Sequence, residues 1–268
     1  MTKLGLAWDK TRACLLRDVV LELGSVWSFG LQLAHLAFAV VSYYFFAVQL
    51  RSAELGGYPA FGFLLIGIMV QGYMTTVLVT FAQIIQNHQA AGTLKAVMTT
   101  RTTPVGFMML SSVFPLCRAA IDVTAYLIVG WILGWSFGDA NLSGAALTFA
   151  LSLVAFGSAG LMLATLSLFS SRTHAAVTAL VGASWLLSGG LYPSHVLPAW
   201  LQHVAPWLPA THAIAAFRAT LLGSAPTEAI LPQLGALALF ALVAVPASVL
   251  TFEAGLRRAR VYGTLARN

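Results

Sequence analysis

Charge is scarce in this chain. Fourteen Lys/Arg and eight Asp/Glu amount to 8 % of 268 residues, against about 25 % in an average soluble domain. That shortage excludes a soluble globular enzyme and a disordered tail. The net charge of +6 does not imply a nucleic-acid partner, because the basic residues lie singly or in small groups between apolar runs. Cysteine is rarer still. Cys14 and Cys117 are the only two, too few for a disulfide framework, and they read as structural thiols. No Lys follows a Gly, so the chain has no P-loop and no ATP site of that kind. No His precedes a Glu, which removes His-Glu-x-x-His zinc chemistry. Neither Ser158 nor Ser188 sits in the Gly-x-Ser-Gly setting of an intramembrane serine protease. Leu187-Ser188-Gly189-Gly190 imitates the start of an ATPase signature, but it ends an apolar run and is a coincidence.

What is present is long hydrophobic runs. Hydrophobic residues make up 59 % of the chain. A membrane-spanning helix needs about 20 of them in succession. Charge-free windows at 23–50, 55–94, 140–171, 173–217 and 229–252, with 102–138 interrupted by Arg118 and Asp122, each hold at least one span. They predict an all-α membrane protein with six transmembrane helices near 26–48, 59–82, 105–134, 143–168, 175–191 and 230–251. The 45 residues from Thr173 to Phe217 also carry Pro193, Pro198, Pro206 and Pro209. Proline breaks helices, so one span to Leu191 is followed by short re-entrant helices near 194–204 and 209–222. Such backbone must be buried in protein or line a wet cavity.

The distribution of Lys/Arg sets orientation. Eleven lie in the N-terminal segment, after the second span, after the fourth and in the tail. Arg51 and Arg218 fall on the other side and Arg118 within a span. The positive-inside rule then puts both termini in the cytoplasm, in agreement with an even number of spans. The first apolar run is too long for a signal-peptide core and reads as an uncleaved anchor. Before it, Leu4, Trp8, Leu15 and Val19 share a helical face while Lys3, Lys10 and Arg17 repeat every seven residues opposite. That is the pattern of an interfacial helix with its basic stripe toward lipid headgroups. The organisation is thus an interfacial helix over 1–25, a transmembrane domain over 26–255 and a basic tail over 256–268.

Arg118 and Asp122 stand four apart in the third span, so one helical face holds both. An intramembrane ion pair is costly and a functional candidate by default. The plainer reading is a structural pair that stabilises helix packing. His195 and His203, eight apart on the broken stretch, read as polar helix residues at a membrane surface.

The connection after the second span, Gln86 to Pro104, contains Gly92-Thr93 and reads as a short polar helix followed by a Thr103-Pro104 start to the next span. It resembles the coupling segment of type 2 ABC exporter permeases. Ser188-Gly189, Tyr192-Pro193, Leu197-Pro198, Trp200-Leu201, Leu208-Pro209 and the 218–223 region follow the order of that family's re-entrant stretch. Gln89 and Lys95 replace the acidic residues usual around Gly-Thr in the family.

The resemblance implies a half-channel: a second permease copy as a homodimer, and two separate ABC ATPase subunits that bind ATP and Mg, while this chain binds no cofactor. It implies a multi-pass protein of a bacterial plasma or inner membrane. It assigns His88, Gly92, Thr93, Leu94, Lys95 and Arg101, within 83–103, to coupling with the ATPase, and 192–224 to the outer re-entrant helices. A substrate path between the first and fifth spans would be lined by His35, Tyr43, Tyr44, Gln71, Tyr73, Trp185 and Tyr192. These groups hold no carboxylate or cation cluster, which favours export of a hydrophobic or amphipathic drug-like or lipid-like compound. Export of a lipid-linked oligosaccharide or polysaccharide is the alternative. Other classes are an ion-coupled carrier, a membrane assembly factor, and a membrane-embedded enzyme, for which no nucleophile and base are visible.

Overall fold

The computed structural model describes residues 26–50, 54–90, 104–136, 138–167 and 173–261. The expected interfacial helix, most of the coupling segment and the end of the tail lie outside them. The described chain is helical almost throughout. Its long helices are α1 (Val26–Gln49), α2 (Ala60–Ala90), α3 (Pro104–Ile132), α4 (Leu142–Ser167) and α5 (Thr173–Leu187). Two short helices follow, α6 (Ala199–Val204) and α7 (Pro209–Leu221), then α8 (Leu231–Val261).

Five of these, α1 to α4 and α8, are long and apolar enough to cross a membrane. The remaining one, α5, has 15 described residues. At 1.5 Å per residue it spans about 22 Å, short of a hydrocarbon core of about 30 Å. The six predicted positions therefore all carry helices, and five have spanning length. Two boundaries shift. Helix α2 runs on to Ala90, well past the expected end near 82, so the coupling segment begins on a helix already formed. Helix α8 runs to Val261, so the tail begins inside it.

Between α1 and α2 a small hairpin appears where the sequence reading placed only a connection. Glu54–Leu55 (β1) pairs antiparallel with Tyr58–Pro59 (β2) around Gly56-Gly57. Both glycines have positive φ, 61° and 84°, as a two-residue hairpin loop requires.

Helix α2 is the centre of the bundle. It packs against α1, α3, α4, α5 and α7, while α8 lies mainly along α4. In its most apolar stretch 72 % of α2 positions are buried, against 17 % for α1. The main core forms where α2 meets α4 and α7. Tyr73 is at its middle, edge-on to Phe149 at 5.4 Å and to Phe217 at 6.2 Å. Its hydroxyl shares a 2.8 Å hydrogen bond with Ser152 Oγ on α4, so the buried polar atom is satisfied.

Asn141 ties two connections together. Its Oδ1 accepts from the Gly144 amide at 2.9 Å and caps α4, an N-cap role suited to its short side chain. Its Nδ2 donates to the Ala225 carbonyl at 2.9 Å and reaches Thr227 Oγ1 at 3.2 Å. Asn141→Ala removes the cap and both cross-links, an expected loss of about 2 kcal/mol. A melt of the detergent-purified protein should shift down by about 4–8 °C.

Candidate functional site

Two polar constellations interrupt the apolar bundle. The first joins α1 to α3. Pro115 lies inside α3 and has no N–H to offer the Ser111 carbonyl one turn back. Just beyond it, Arg118 and Asp122 are buried, at 7 % and 5 % exposure. Arg118 Nε stands 3.9 Å from Asp122 Oδ1, a loose pair. Gln32 on α1 closes it. Arg118 Nη2 donates to Gln32 Oε1 at 2.6 Å, and Gln32 Nε2 donates to Asp122 Oδ2 at 3.2 Å. The amide thus gives the cation an acceptor and the carboxylate a donor, and both bonds are charge-assisted. The sequence reading had the ion pair but not Gln32. The available signal was an amide early in the apolar run of the first span.

The second constellation is the break after α5. Gly189 has φ +71°, a left-handed backbone that ends the helix at little cost only for glycine. The chain then turns through Gly190, both glycines being buried. The opening leaves carbonyls without helical donors, and Arg218 on α7 supplies them. Its Nη1 donates to the Gly189 carbonyl at 2.9 Å and its Nη2 to the Gly190 carbonyl at 2.8 Å. Nη2 also reaches the Phe63 carbonyl on α2 at 3.1 Å, and the guanidinium lies 3.3 Å from the centre of the Phe63 ring, a cation–π contact. Across the break α2 presents Gly67. A methyl there would sit 2.1 Å from the Gly190 carbonyl oxygen.

The positive-inside count assigns Arg218 to the outer side; in the fold it is 8 % exposed. Its nearest charged neighbours along the sequence are Arg172 and Glu228. That isolation in an apolar setting was the only hint of burial.

The predicted substrate-path residues separate into groups. Tyr73 is 0 % exposed and bonded to Ser152 in the main core. His35 on α1 is exposed, and Tyr43 and Tyr44 are half-buried. Tyr44 meets Phe61 edge-on at 5.3 Å. Gln71 is half-buried on α2. Trp185 and Tyr192 flank the break. Trp185 packs by Gly190, and the Tyr192 hydroxyl donates to the Leu186 carbonyl. Trp185 and Tyr192 therefore flank one break, and Leu191 beside it packs with Tyr43 against the same apolar cluster of α1 and α2.

Of the coupling residues, His88 is described; Gly92, Thr93, Leu94, Lys95 and Arg101 lie outside the described residues, as do Lys3, Lys10 and Arg17. The His88 ring meets Phe107 at 5.0 Å, nearly perpendicular, so the end of α2 packs on the start of α3. The broken stretch matches expectation in its breaks. Pro198 precedes α6, Pro206 lies in a 3-10 turn and Pro209 begins α7. His195 and His203 are exposed, and among the described residues no three His, Cys, Asp or Glu gather as a metal site.

The family model described as ABC-2 type transporter matches residues 23–222. That range begins just before α1 and ends just after α7, so it takes in both polar constellations. No curated protein matches the chain.

Proposed function

The chain belongs to the ABC-2 type transporter family, as a membrane permease rather than a catalytic domain, and on that premise we propose that it is the transmembrane subunit of an ATP-driven exporter. The observation that carries this reading is the combination of the family match over most of the helices with a chain that holds no P-loop. The energy source is then a separate pair of ABC ATPase subunits carrying ATP and Mg. A second copy of the permease completes the channel as a homodimer in the cell membrane.

The proposed topology keeps six crossings, with α5 as a short fifth crossing that is continued by the broken stretch. The uneven Lys/Arg count supports it, since both termini then share the cytoplasmic side. The residues from 83 to 103, entered through His88 at the end of α2, form the contact with the ATPase. The 192–224 stretch re-enters from the outer side. The cargo is a hydrophobic or amphipathic compound passing His35, Tyr43, Tyr44, Gln71, Trp185 and Tyr192. Those side chains combine aromatic and amide groups without a carboxylate or cation cluster.

The test is capture of the tagged chain in mild detergent, followed by an ATPase assay of the eluate. A stoichiometric soluble P-loop ATPase should co-elute. Gly92→Pro should leave membrane insertion intact and reduce transport-coupled ATP turnover at least tenfold. A chain that elutes alone, with no nucleotide turnover, would count against the exporter and favour an ion-coupled carrier or an assembly factor.

A further inference from the structure

We infer that Arg218 is a positioning residue that clasps the broken stretch shut against α2 and sets how readily the outer end of the permease opens. This rests on the outward role of the 192–224 stretch proposed above. Arg218 joins three segments at one point. It stands on α7, and its two terminal nitrogens hold the Gly189 and Gly190 carbonyls after α5 and the Phe63 carbonyl of α2. Neither the chain just after α5 nor the last turn of α7 can leave α2 without breaking these bonds.

The acceptors are all neutral. Among the described residues no carboxylate forms an ion pair with Arg218, and its Nε has no hydrogen-bond partner. A buried arginine held by carbonyl dipoles and one aromatic face is a weaker lock than one held by a carboxylate. Opening the break exchanges those carbonyls for water, which solvates both the cation and the freed backbone. The clasp is thus tight when dry and readily released when wetted, as an outer gate requires.

Its placement on α2 matters as much as its chemistry. From Phe63 to His88 the helix is uninterrupted, about 37 Å at 1.5 Å per residue. Most of its middle is buried. A displacement at the His88 end therefore reaches the clasp through one rigid element rather than through a chain of loops.

The test uses the full chain in lipid nanodiscs, with Cys14→Ser and Cys117→Ser as background and Ser188→Cys as reporter. Ser188 is buried beside the break. Arg218→Gln should raise the rate of labelling by a maleimide at least tenfold. Arg218→Lys, which reaches fewer carbonyls at once, should fall between it and the parent. A second reporter, Ser152→Cys, sits in the main core and should stay unlabelled in all three. Equal rates at Ser188→Cys with and without Arg218 would overturn the inference. So would a parallel rise at Ser152→Cys, which would make Arg218 a general stabiliser. No ATPase enters this measurement, so failure of the clasp and failure of the exporter reading are distinguishable. If both hold, adding the ATPase with nucleotide should raise the parent's labelling toward the Arg218→Gln rate.

Discussion

Gly67→Ala should destabilise the protein by about 3 kcal/mol, at the upper end of the range for inserting a methyl into a packed interior. The added carbon would lie 2.1 Å from the Gly190 carbonyl oxygen and 2.8 Å from its carbon. Ordinary contact needs more than an ångström beyond the first of these distances. The obstacle is main chain, so no side-chain rotation relieves it. Helix α2 and the break after α5 must separate, and that pulls on the 2.8 Å and 3.1 Å bonds that Arg218 makes to Gly190 and Phe63. The melting midpoint should fall by about 6–12 °C on the scale of about 2–4 °C per kcal/mol for a chain of this size. Gly182→Ala on α5 is the control. Nothing lies within 4 Å of a methyl there, and alanine is favoured over glycine in a helix by up to about 1 kcal/mol. Equal melting of the two variants would show that α2 and the break do not touch as described.

Asp122→Ala should be the second large effect. It removes the carboxylate beside Arg118 in the bundle interior, and stranding one partner of a buried ion pair costs about 3–5 kcal/mol. Gln32 would keep its contact with Arg118 but lose its own acceptor. Replacing both charges with apolar side chains, Arg118→Met with Asp122→Leu, should recover most of the loss, because buried pairs are frequently near-neutral against a hydrophobic substitute. Gln32→Ala should cost less, about 2 kcal/mol, through two charge-assisted hydrogen bonds. A double-mutant cycle between Gln32 and Asp122, read by melting, gives the coupling directly. Additive effects would mean that α1 is not held through this amide.

The positions of the long helices were legible because lipid imposes a simple rule: apolar runs of spanning length separated by charges. The proline-marked breaks at 198 and 209 were legible for the same local reason, since proline's constraint on the backbone does not depend on distant partners. What escaped was set by contacts far apart in sequence. Arg218 entered the sequence reading only as an outer-side charge, because nothing near it reveals the carbonyls of residues 63, 189 and 190. The contacts of Tyr73 with Ser152 and Phe217 were hidden for the same reason, since both lie far from it in sequence. Gln32 looked unremarkable beside the charged pair, although it supplies the bridge between them. Gly56-Gly57 was a readable turn signal that the long charge-free window obscured.

The Gln32 bridge also has a bearing on biogenesis. Its partners lie 86 and 90 residues further along the chain. At about 5–20 residues per second, a ribosome takes roughly 5–20 s to synthesise that interval. Throughout it, the Gln32 amide lacks both of its eventual partners, and an unsatisfied polar group in lipid is costly. The seat of α1, begun by its apolar contacts with α2, is completed when α3 brings Arg118 and Asp122, which makes this pair a late step in assembly as well as a support in the finished bundle.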